Sequence, residues 1–321
     1  MTTTPSIQQI AVVGAGYMGG GIAVTFAAHG YQVLIADVDA ATAERARDRL
    51  HAEAKQFEAN DLVPLGFASA VAQNLSAAES MEAAVADADF IMEVVPEIES
   101  IKLDVLRRLS TANPTATIGT NTSAIPITSL AVGVENPDRF LGVHWMNPAP
   151  FIPCVEIIPH TGTREGLVDF ASDLMRAVGK RPSTVSDSPG FVANRLQYAL
   201  LKEASTMLSE GVATAKEIDA IVSNSFGFRL SLFGPFAIAD MAGLDVYQGA
   251  FGVLERAYGE RFSTPDVIEK SVAAGNFGIK TGKGLLDLDA ESQDDLLAYR
   301  DRAYVELNRL RDRLGESPAL R

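Results

Sequence analysis

The chain has 321 residues, of which 47% are hydrophobic and 21% are charged, the composition of a globular protein. At roughly 100–200 residues per domain, this length predicts two domains or three. With 27 basic and 41 acidic side chains the net charge is −14, which argues against nucleic acid or an anionic membrane surface as a partner. An anionic ligand would have to be held by local groups against this field.

Signals for targeting and for metal binding are sparse. No apolar stretch approaches the ~18 residues of a membrane span, and residues 1–5 lack the basic and apolar parts of a signal peptide. The single cysteine, Cys154, excludes an intramolecular disulfide framework and a cysteine-rich metal site. The missing targeting signals and the single cysteine predict a cytoplasmic protein. Because the four histidines show no paired ligand spacing, we also predict that it holds no metal ion.

From residue 7 to about residue 187, short apolar runs alternate with helical patterns. Most of the runs are nearly continuously apolar, as in strands that are buried on both faces. The alternation predicts a parallel sheet covered by helices on both sides. The predicted strands are residues 7–13, 31–36, 90–95, 116–120, 140–144, 153–158 and 183–187.

Residues 40–60 form a long helical pattern whose charged side chains leave no wide apolar stripe. Such a helix is expected to project from the domain with a narrow packed face. It is either a solvated helix or an arm that contacts a ligand.

The strand signal stops at the turn-forming segment 186–190, Ser-Asp-Ser-Pro-Gly. Helical patterns follow at residues 191–210, 216–226, 235–258 and 293–314. The predicted fold class is therefore α/β: a doubly wound sheet over residues 1–187, followed by an all-α C-terminal domain over residues 188–321.

A glycine motif follows the first predicted strand and precedes a helix. It consists of Gly14, Ala15, Gly16, Tyr17, Met18 and Gly19. In this setting Gly14 permits a tight turn, Gly16 lets the backbone approach a pyrophosphate, and Gly19 lets the helix pack on the strand. The pyrophosphate would sit at the helix N-terminus, whose N–H groups favour an anion without any lysine. Glycine-rich turns of this kind also occur for steric reasons alone.

Asp37 ends the second predicted strand, 23 residues after Gly14. An acidic residue about 20 residues after such a motif accepts hydrogen bonds from the ribose hydroxyls. Because a carboxylate there also repels a 2′-phosphate, the combination predicts a Rossmann-type site for NAD rather than NADP.

Polar residues mark the ends of two later strands. The fourth predicted strand is followed by Asn121 and Ser123, and the fifth ends at His144, with Asn147 close behind. Ligands of open α/β sheets bind outside the carboxyl ends of the strands, where these groups fall.

Glu156 interrupts an apolar run 12 residues after His144. A buried carboxylate needs a cationic or hydrogen-bonding partner. If that partner is His144, the carboxylate would fix one imidazole nitrogen and leave the other as a general base. Alternatively, His144 is a core histidine with satisfied hydrogen bonds, and Glu156 pairs with an arginine.

Taken together, these motifs resemble those of the 3-hydroxyacyl-CoA dehydrogenase family, over about residues 7–287. The similar segments are the glycine motif, Val-Pro-Glu at 95–97 with Lys102, Asn-Thr-Ser at 121–123, His-Trp-Met-Asn-Pro at 144–148, Val-Glu-Ile at 155–157, Pro-Gly-Phe-Val-Ala-Asn-Arg at 189–195 and Lys-Thr-Gly-Lys-Gly at 280–284.

The resemblance implies an NAD-dependent oxidoreductase of fatty acid metabolism that oxidises an L-3-hydroxyacyl compound, most simply a CoA thioester. His144 would take the hydroxyl proton, Glu156 would orient it, Ser123 would hydrogen-bond the reacting oxygen, and Asn194 would reach the substrate. A homodimer formed through the helical domain is also implied. The implied cofactor contacts, beyond the glycine motif and Asp37, are Glu97, Lys102, Asn121, Ser123 and Asn147.

The sequence departs from acyl-CoA members of the family in two places. Residues 149–154 lack a lysine, and in the helical pattern at 40–60 acidic residues stand among Arg45, Arg49 and Lys55, which would have to hold the CoA phosphates. Residues 227–235 resemble members that act on small free carboxylates, the lambda-crystallin/gulonate dehydrogenase group and the pyridine-carboxylate alcohol dehydrogenases. There Arg229 either holds a substrate carboxylate through two parallel hydrogen bonds or forms a salt bridge within the helical domain.

Two alternatives to the acyl-CoA substrate therefore stay open. One is the same chemistry on a small free hydroxy-carboxylate or carboxylated alcohol. The other is a non-catalytic, crystallin-like NAD-binding protein, against which the joint presence of His144, Glu156, Ser123 and Asn194 argues.

Overall fold

The computed structural model describes residues 7–320, and the chain divides into two compact units between Leu200 and Leu201. The first unit is built on one eight-stranded sheet with the order β3-β2-β1-β4-β5-β6-β7-β8. Its strands are β1 Gln9–Val13, β2 Gln32–Ala36, β3 Leu75–Ala77, β4 Phe90–Glu93, β5 Thr117–Thr120, β6 Phe140–Trp145, β7 Cys154–Ile158 and β8 Arg181–Thr184.

The sheet is parallel except where β6 and β7 pair in antiparallel fashion. The predicted doubly wound, parallel sheet is confirmed except at this pair, where a short connection suffices between antiparallel strands and no helical crossover intervenes. The three-residue edge strand β3 was not predicted. The last strand was predicted at 183–187, but β8 ends at Thr184 and the Asp187 carboxylate instead accepts hydrogen bonds from the backbone N–H groups of Ile127 and Thr128.

Alternate residues of the strands enter two separate cores. In β1, Ile10 and Val12 pack on one face of the sheet, while Ala11 and Val13 pack on the other. This burial on both faces explains why the strands read as continuous apolar runs. The helices of this unit are α1 Tyr17–Ala28, α2 Ala40–Ala59, α3 Phe67–Asn74, α4 Met81–Val85, α5 Glu99–Ala112, α6 Ile127–Ala131 and α7 Leu167–Ala177.

The long polar helix α2 has the narrow packed face that its sequence predicted. Only four of its side chains are buried, and they lie along one stripe that contacts α3 and β3. They are Ala43, Ala46, Leu50 and Ala54.

Helix α8, Ala193–Ser209, begins in the first unit and continues into the second, whose named elements up to residue 320 are all helices, as predicted. The single helix predicted at 235–258 is divided at Gly243, whose φ of 106° lies where side chains are disfavoured. None of the helices within residues 7–320 is long and apolar enough to cross a membrane. The remaining helices are α9 Ala215–Asn224, α10 Phe226–Leu230, α11 Pro235–Ala242, α12 Leu244–Tyr258, α13 Asp266–Ala273 and α14 Ala290–Leu314, of which α10 and α13 were not predicted.

Candidate active site

The glycine loop joins β1 to α1, and its three glycines differ in what surrounds them. Gly14 has a φ of 104°, and a Cβ there would lie 2.5 Å from the Val94 carbonyl oxygen. A Cβ on Gly19 would overlap the Gly14 carbonyl oxygen, whereas a Cβ on Gly16 would meet nothing within 4 Å. The outer two glycines therefore serve the turn and the packing of α1, and Gly16 faces open space.

Asp37 lies at the carboxyl end of β2 and is bonded to the same loop. Its Oδ2 accepts a hydrogen bond of 2.6 Å from the Ala15 N–H, and its Oδ1 accepts one of 2.8 Å from the Val38 N–H. The half-buried carboxylate thus fixes the loop while each oxygen keeps a further lone pair.

The glycine loop and Asp37 line a cavity of about 540 Å³. The cavity also contains Asp39, Glu79 and an ion pair in which Arg108 Nη2 lies 2.7 Å from Glu82 Oε1. Gly16 is the N-cap of α1 and makes no side-chain cap hydrogen bond, so no capping side chain competes for the N–H groups of the first turn, whose residues line the cavity. The open space at Gly16 and these donors fit the pyrophosphate of a dinucleotide, and the acidic lining fits a ribose without a 2′-phosphate.

A second group of polar side chains lies at the carboxyl ends of β4 and β5. Lys102 is 1% exposed, and its Nζ lies 2.9 Å from Glu93 Oε1 and 3.5 Å from Glu97 Oε2. Neither Glu97 nor Lys102 lines the cavity, so their contacts with a cofactor stay a prediction. Burial acts to raise the pKa of Glu97, but the hydrogen bond from Thr122 and the charge of Lys102 lower it below the ordinary value.

His144 and Glu156 face each other across the antiparallel pair β6 and β7. The His144 Nδ1 lies 2.8 Å from Glu156 Oε2, and both side chains are buried. Of the two readings that the sequence left open, an imidazole–carboxylate pair is the one that the structure contains. Burial acts to raise the pKa of Glu156, but the hydrogen bond from His144 and those from the backbone N–H groups of Ala193 and Val192 lower it.

The first turn of α8 completes this region of the first unit. Glu156 Oε1 accepts hydrogen bonds of 3.0 Å from both the Val192 and the Ala193 N–H. Asn194 Nδ2 donates a 2.9 Å hydrogen bond to the Ser123 carbonyl oxygen. Phe191, at a φ of 47°, turns the chain into the helix with its ring 5.6 Å from the imidazole. The structure therefore brings together the four residues predicted to be catalytic.

The other predicted site residues are more scattered. Asn121 is buried and its Oδ1 accepts the Trp145 N–H, while Asn147 is exposed and precedes a cis proline. Arg229 lies on α10 in the second unit and makes no ion pair within residues 7–320, so the predicted salt bridge within the helical domain is absent there. No cluster of His, Cys, Asp or Glu in that range could hold a metal ion.

Comparison with known proteins defines the class. Residues 9–188 match the family described as "3-hydroxyacyl-CoA dehydrogenase, NAD binding domain", so the enzyme is an NAD-dependent oxidoreductase that acts on CH–OH groups, as predicted. Residues 190–288 match the corresponding C-terminal domain. The chain therefore belongs to the 3-hydroxyacyl-CoA dehydrogenase family.

Its relatives differ in what they act on. The chain is 36% identical to 5-formyl-3-hydroxy-2-methylpyridine 4-carboxylate 5-dehydrogenase of Mesorhizobium japonicum, over 95% of this chain and 98% of the relative. It is 35% identical to an L-carnitine dehydrogenase of Streptomyces coelicolor, over 98% of each chain. A crystal structure of a 3-hydroxyacyl-CoA dehydrogenase from Archaeoglobus fulgidus matches with a TM-score of 0.76 and 31% identity, over 96% of this chain and 99% of that one.

Proposed function

We propose that the enzyme oxidises the 3-hydroxyl of an L-3-hydroxyacyl compound to a ketone, with His144 as the general base. The observation that carries this proposal is the 2.8 Å contact between His144 Nδ1 and Glu156. With Nδ1 held as the donor, Nε2 is the nitrogen that can accept the proton of the substrate hydroxyl.

In the proposed reaction, the O–H bond of the substrate breaks and its proton passes to Nε2 of His144. Bound NAD would supply the acceptor for the hydride that leaves the same carbon. The Glu156 carboxylate stabilises the imidazolium that forms, since it is already hydrogen-bonded to two backbone N–H groups and needs no rearrangement. Ser123 would hydrogen-bond the reacting oxygen, and Asn194 would keep the Ser123 loop in place.

A CoA thioester is the simplest substrate of this kind, but a second candidate has an observation in its favour. Of the three α2 cations that could hold CoA phosphates, both arginines are already engaged, Arg45 with Thr42 and Arg49 with Glu53 and the Ala15 carbonyl oxygen, which leaves Lys55. Arg229, by contrast, has no ion-pair partner within the described chain. A small free hydroxy-carboxylate, held by the Arg229 guanidinium, is therefore the second candidate.

One assay separates the two substrates. NADH consumption is measured with acetoacetyl-CoA and, at equal concentration, with acetoacetate and other small keto acids. The CoA proposal predicts turnover of the thioester that is insensitive to Arg229→Lys. Turnover of free acids alone, with KM raised at least tenfold by Arg229→Ala and less by Arg229→Lys, would refute it in favour of the second candidate.

We also propose that the enzyme is a homodimer formed through its helical unit. Helix α8 has 17 residues and buries none of them within its own chain, and Leu196, Leu201 and Leu208 are all exposed. Sedimentation velocity should give a dimer that Leu201→Glu converts to a monomer, whereas Val132→Glu, at an exposed site of the first unit, leaves it unchanged. A monomeric wild type would refute this proposal. The cytoplasmic location and the role in fatty acid metabolism stay predictions.

A further inference from the structure

Glu93 is a buried carboxylate that the proposed reaction does not use. It is the last residue of β4, it is 0% exposed, and it stands in register with Val13 on one side and Thr120 on the other. It therefore lies between the strand that leads into the glycine loop and the strand that leads to Ser123.

The Glu93 carboxylate is satisfied entirely by groups of the protein. Its Oε1 accepts hydrogen bonds from the Val95 N–H at 2.8 Å and from Lys102 Nζ at 2.9 Å. Its Oε2 accepts one from the Thr120 hydroxyl at 2.5 Å. Lys102 Nζ also donates to the Val95 carbonyl oxygen at 3.1 Å, so the two side chains together bind both backbone polar groups of Val95.

These contacts close into a ring. Lys102 reaches Glu97, whose Oε1 accepts hydrogen bonds from the Thr122 hydroxyl at 2.6 Å and from the Ser123 N–H at 2.8 Å. The Thr122 N–H in turn donates a 3.3 Å hydrogen bond to the Thr120 hydroxyl, and that hydroxyl donates to Glu93 Oε2, which completes the ring. The ring joins the turn after β4 to the loop after β5.

Both joined segments border the site. Val94, Val95 and Pro96 form one wall of the cavity assigned to the cofactor, and the β5 loop carries Ser123, whose carbonyl oxygen holds Asn194. We propose that Glu93, through Lys102, is a positioning residue that sets the cofactor wall and the Ser123 loop relative to each other. The expected effect of Glu93 on NAD binding requires only that the enzyme binds NAD, which the family assignment shows. The expected effect on turnover also rests on the proposed function.

The test compares Glu93→Gln, Lys102→Met and the double variant with the wild type. NAD affinity is measured by calorimetry, the melting temperature by scanning calorimetry, and kcat and KM with the substrate that the wild type accepts. Each single change leaves one buried charge without its partner, so the melting temperature should fall in both, and it should recover in the double variant, where neither charge remains. Asp173→Asn, which breaks an exposed ion pair with Arg176 on α7, is the control and should change none of these quantities.

Lys102 is itself a predicted cofactor contact, so Glu93→Gln, which keeps Lys102, decides the outcome, and the double variant reports on stability alone. A positioning role predicts that Glu93→Gln, assayed well below its melting temperature, raises the NAD dissociation constant by about tenfold and lowers kcat/KM by 10- to about 100-fold. Wild-type NAD affinity in Glu93→Gln, with only the melting temperature lowered, would mean that the pair serves folding alone and would overturn the inference.

A variant without charge changes covers the case in which the single variants fail to fold. Thr120→Val removes the hydroxyl that donates to Glu93 Oε2 and accepts the Thr122 N–H, so it breaks the ring at one member, and it should weaken NAD binding by a few-fold. Wild-type affinity in that variant would also count against the inference. Because calorimetry needs no substrate, a wrong proposal about the reaction leaves this test intact.

Discussion

Within residues 7–320, two buried pairs of a basic side chain and a carboxylate lie at the same edge of one sheet, Lys102 with Glu93 and His144 with Glu156. All four residues are at most 4% exposed. The ammonium group of Lys102 donates its hydrogen bonds to protein oxygens, whereas the imidazole of His144 contacts its carboxylate through Nδ1 alone. Imidazole is also the side chain that exchanges a proton near neutral pH. A buried pair can thus serve chemistry when its basic member leaves one nitrogen free to exchange a proton with a ligand.

The largest effect should come from removing the reactive member of the histidine pair. His144→Ala is expected to lower kcat by about 10²- to 10⁴-fold, the usual contribution of a general base, while NAD affinity stays unchanged. Initial rates and calorimetry measure the two quantities. His51→Ala, at a half-buried histidine on α2, is the matched control. Unchanged turnover in His144→Ala would reject His144 as the base.

Glu156→Gln should come next, with a loss of kcat on the order of 10²-fold or more. The backbone N–H groups of Val192 and Ala193 would keep the amide oxygen on their side, so the amide nitrogen would face His144 Nδ1. His144 Nδ1 would then have to accept a hydrogen bond from the amide N–H. Nε2 would consequently carry the imidazole proton and could not act as the base. Glu156→Asp keeps the charge and should retain more activity; equal losses in the two variants would contradict control of the tautomer.

On the cofactor side the expected effects are smaller. Asp37→Ser should weaken NAD binding by about tenfold, the equivalent of one hydrogen bond to a charged group, and should relax the rejection of NADP. Asp39→Ser removes a neighbouring carboxylate of the same cavity, yet serine still caps α2 through Thr42, so it is the control. If the NAD/NADP ratio of kcat/KM moves equally in both variants, the ribose contact is assigned to the wrong residue.

The smallest effect concerns stability and pH. The pKa of Glu156 is lowered in the folded enzyme, so its ionised form stabilises the fold above the ordinary range of a glutamate, about pH 4.3. This contribution is lost as the pH falls through the lowered pKa. The difference in melting temperature between wild type and Glu156→Gln should therefore be largest near neutral pH and shrink in acid. A difference that grows in acid would have the wrong sign.

The sequence predicted the sheet and the glycine loop because each follows from a strong local pattern, and it predicted the His144–Glu156 pair as one of two alternatives. A strand buried on both faces reads as an apolar run, and Glu156 is conspicuous within such a run. Glu93 sits in an apolar run too, so the same rule would have found it; its partner Lys102, however, comes nine residues later on a helix, where a lysine usually faces solvent.

What the sequence could not predict depends on contacts distant in the chain. The antiparallel turn into β7 depends on how a short connection folds. The capping of α6 by Asp187 joins residues about 60 positions apart, and no periodicity indicates such a pairing. Likewise, the absence of an ion pair at Arg229 within the described chain is visible only once the helices around it are packed.

The three glycines of the nucleotide loop should respond differently to mutation. A side chain at Gly14 or Gly19 collides with backbone, so such variants would be lost from any library selected for folding. A Cβ on Gly16 would meet nothing within 4 Å, so Gly16→Ala should fold as well as the wild type and survive that selection. The same methyl group would occupy the space that a pyrophosphate needs. Gly16→Ala should therefore give a folded enzyme that does not bind NAD. Such a variant would allow substrate binding to be studied in the absence of the cofactor.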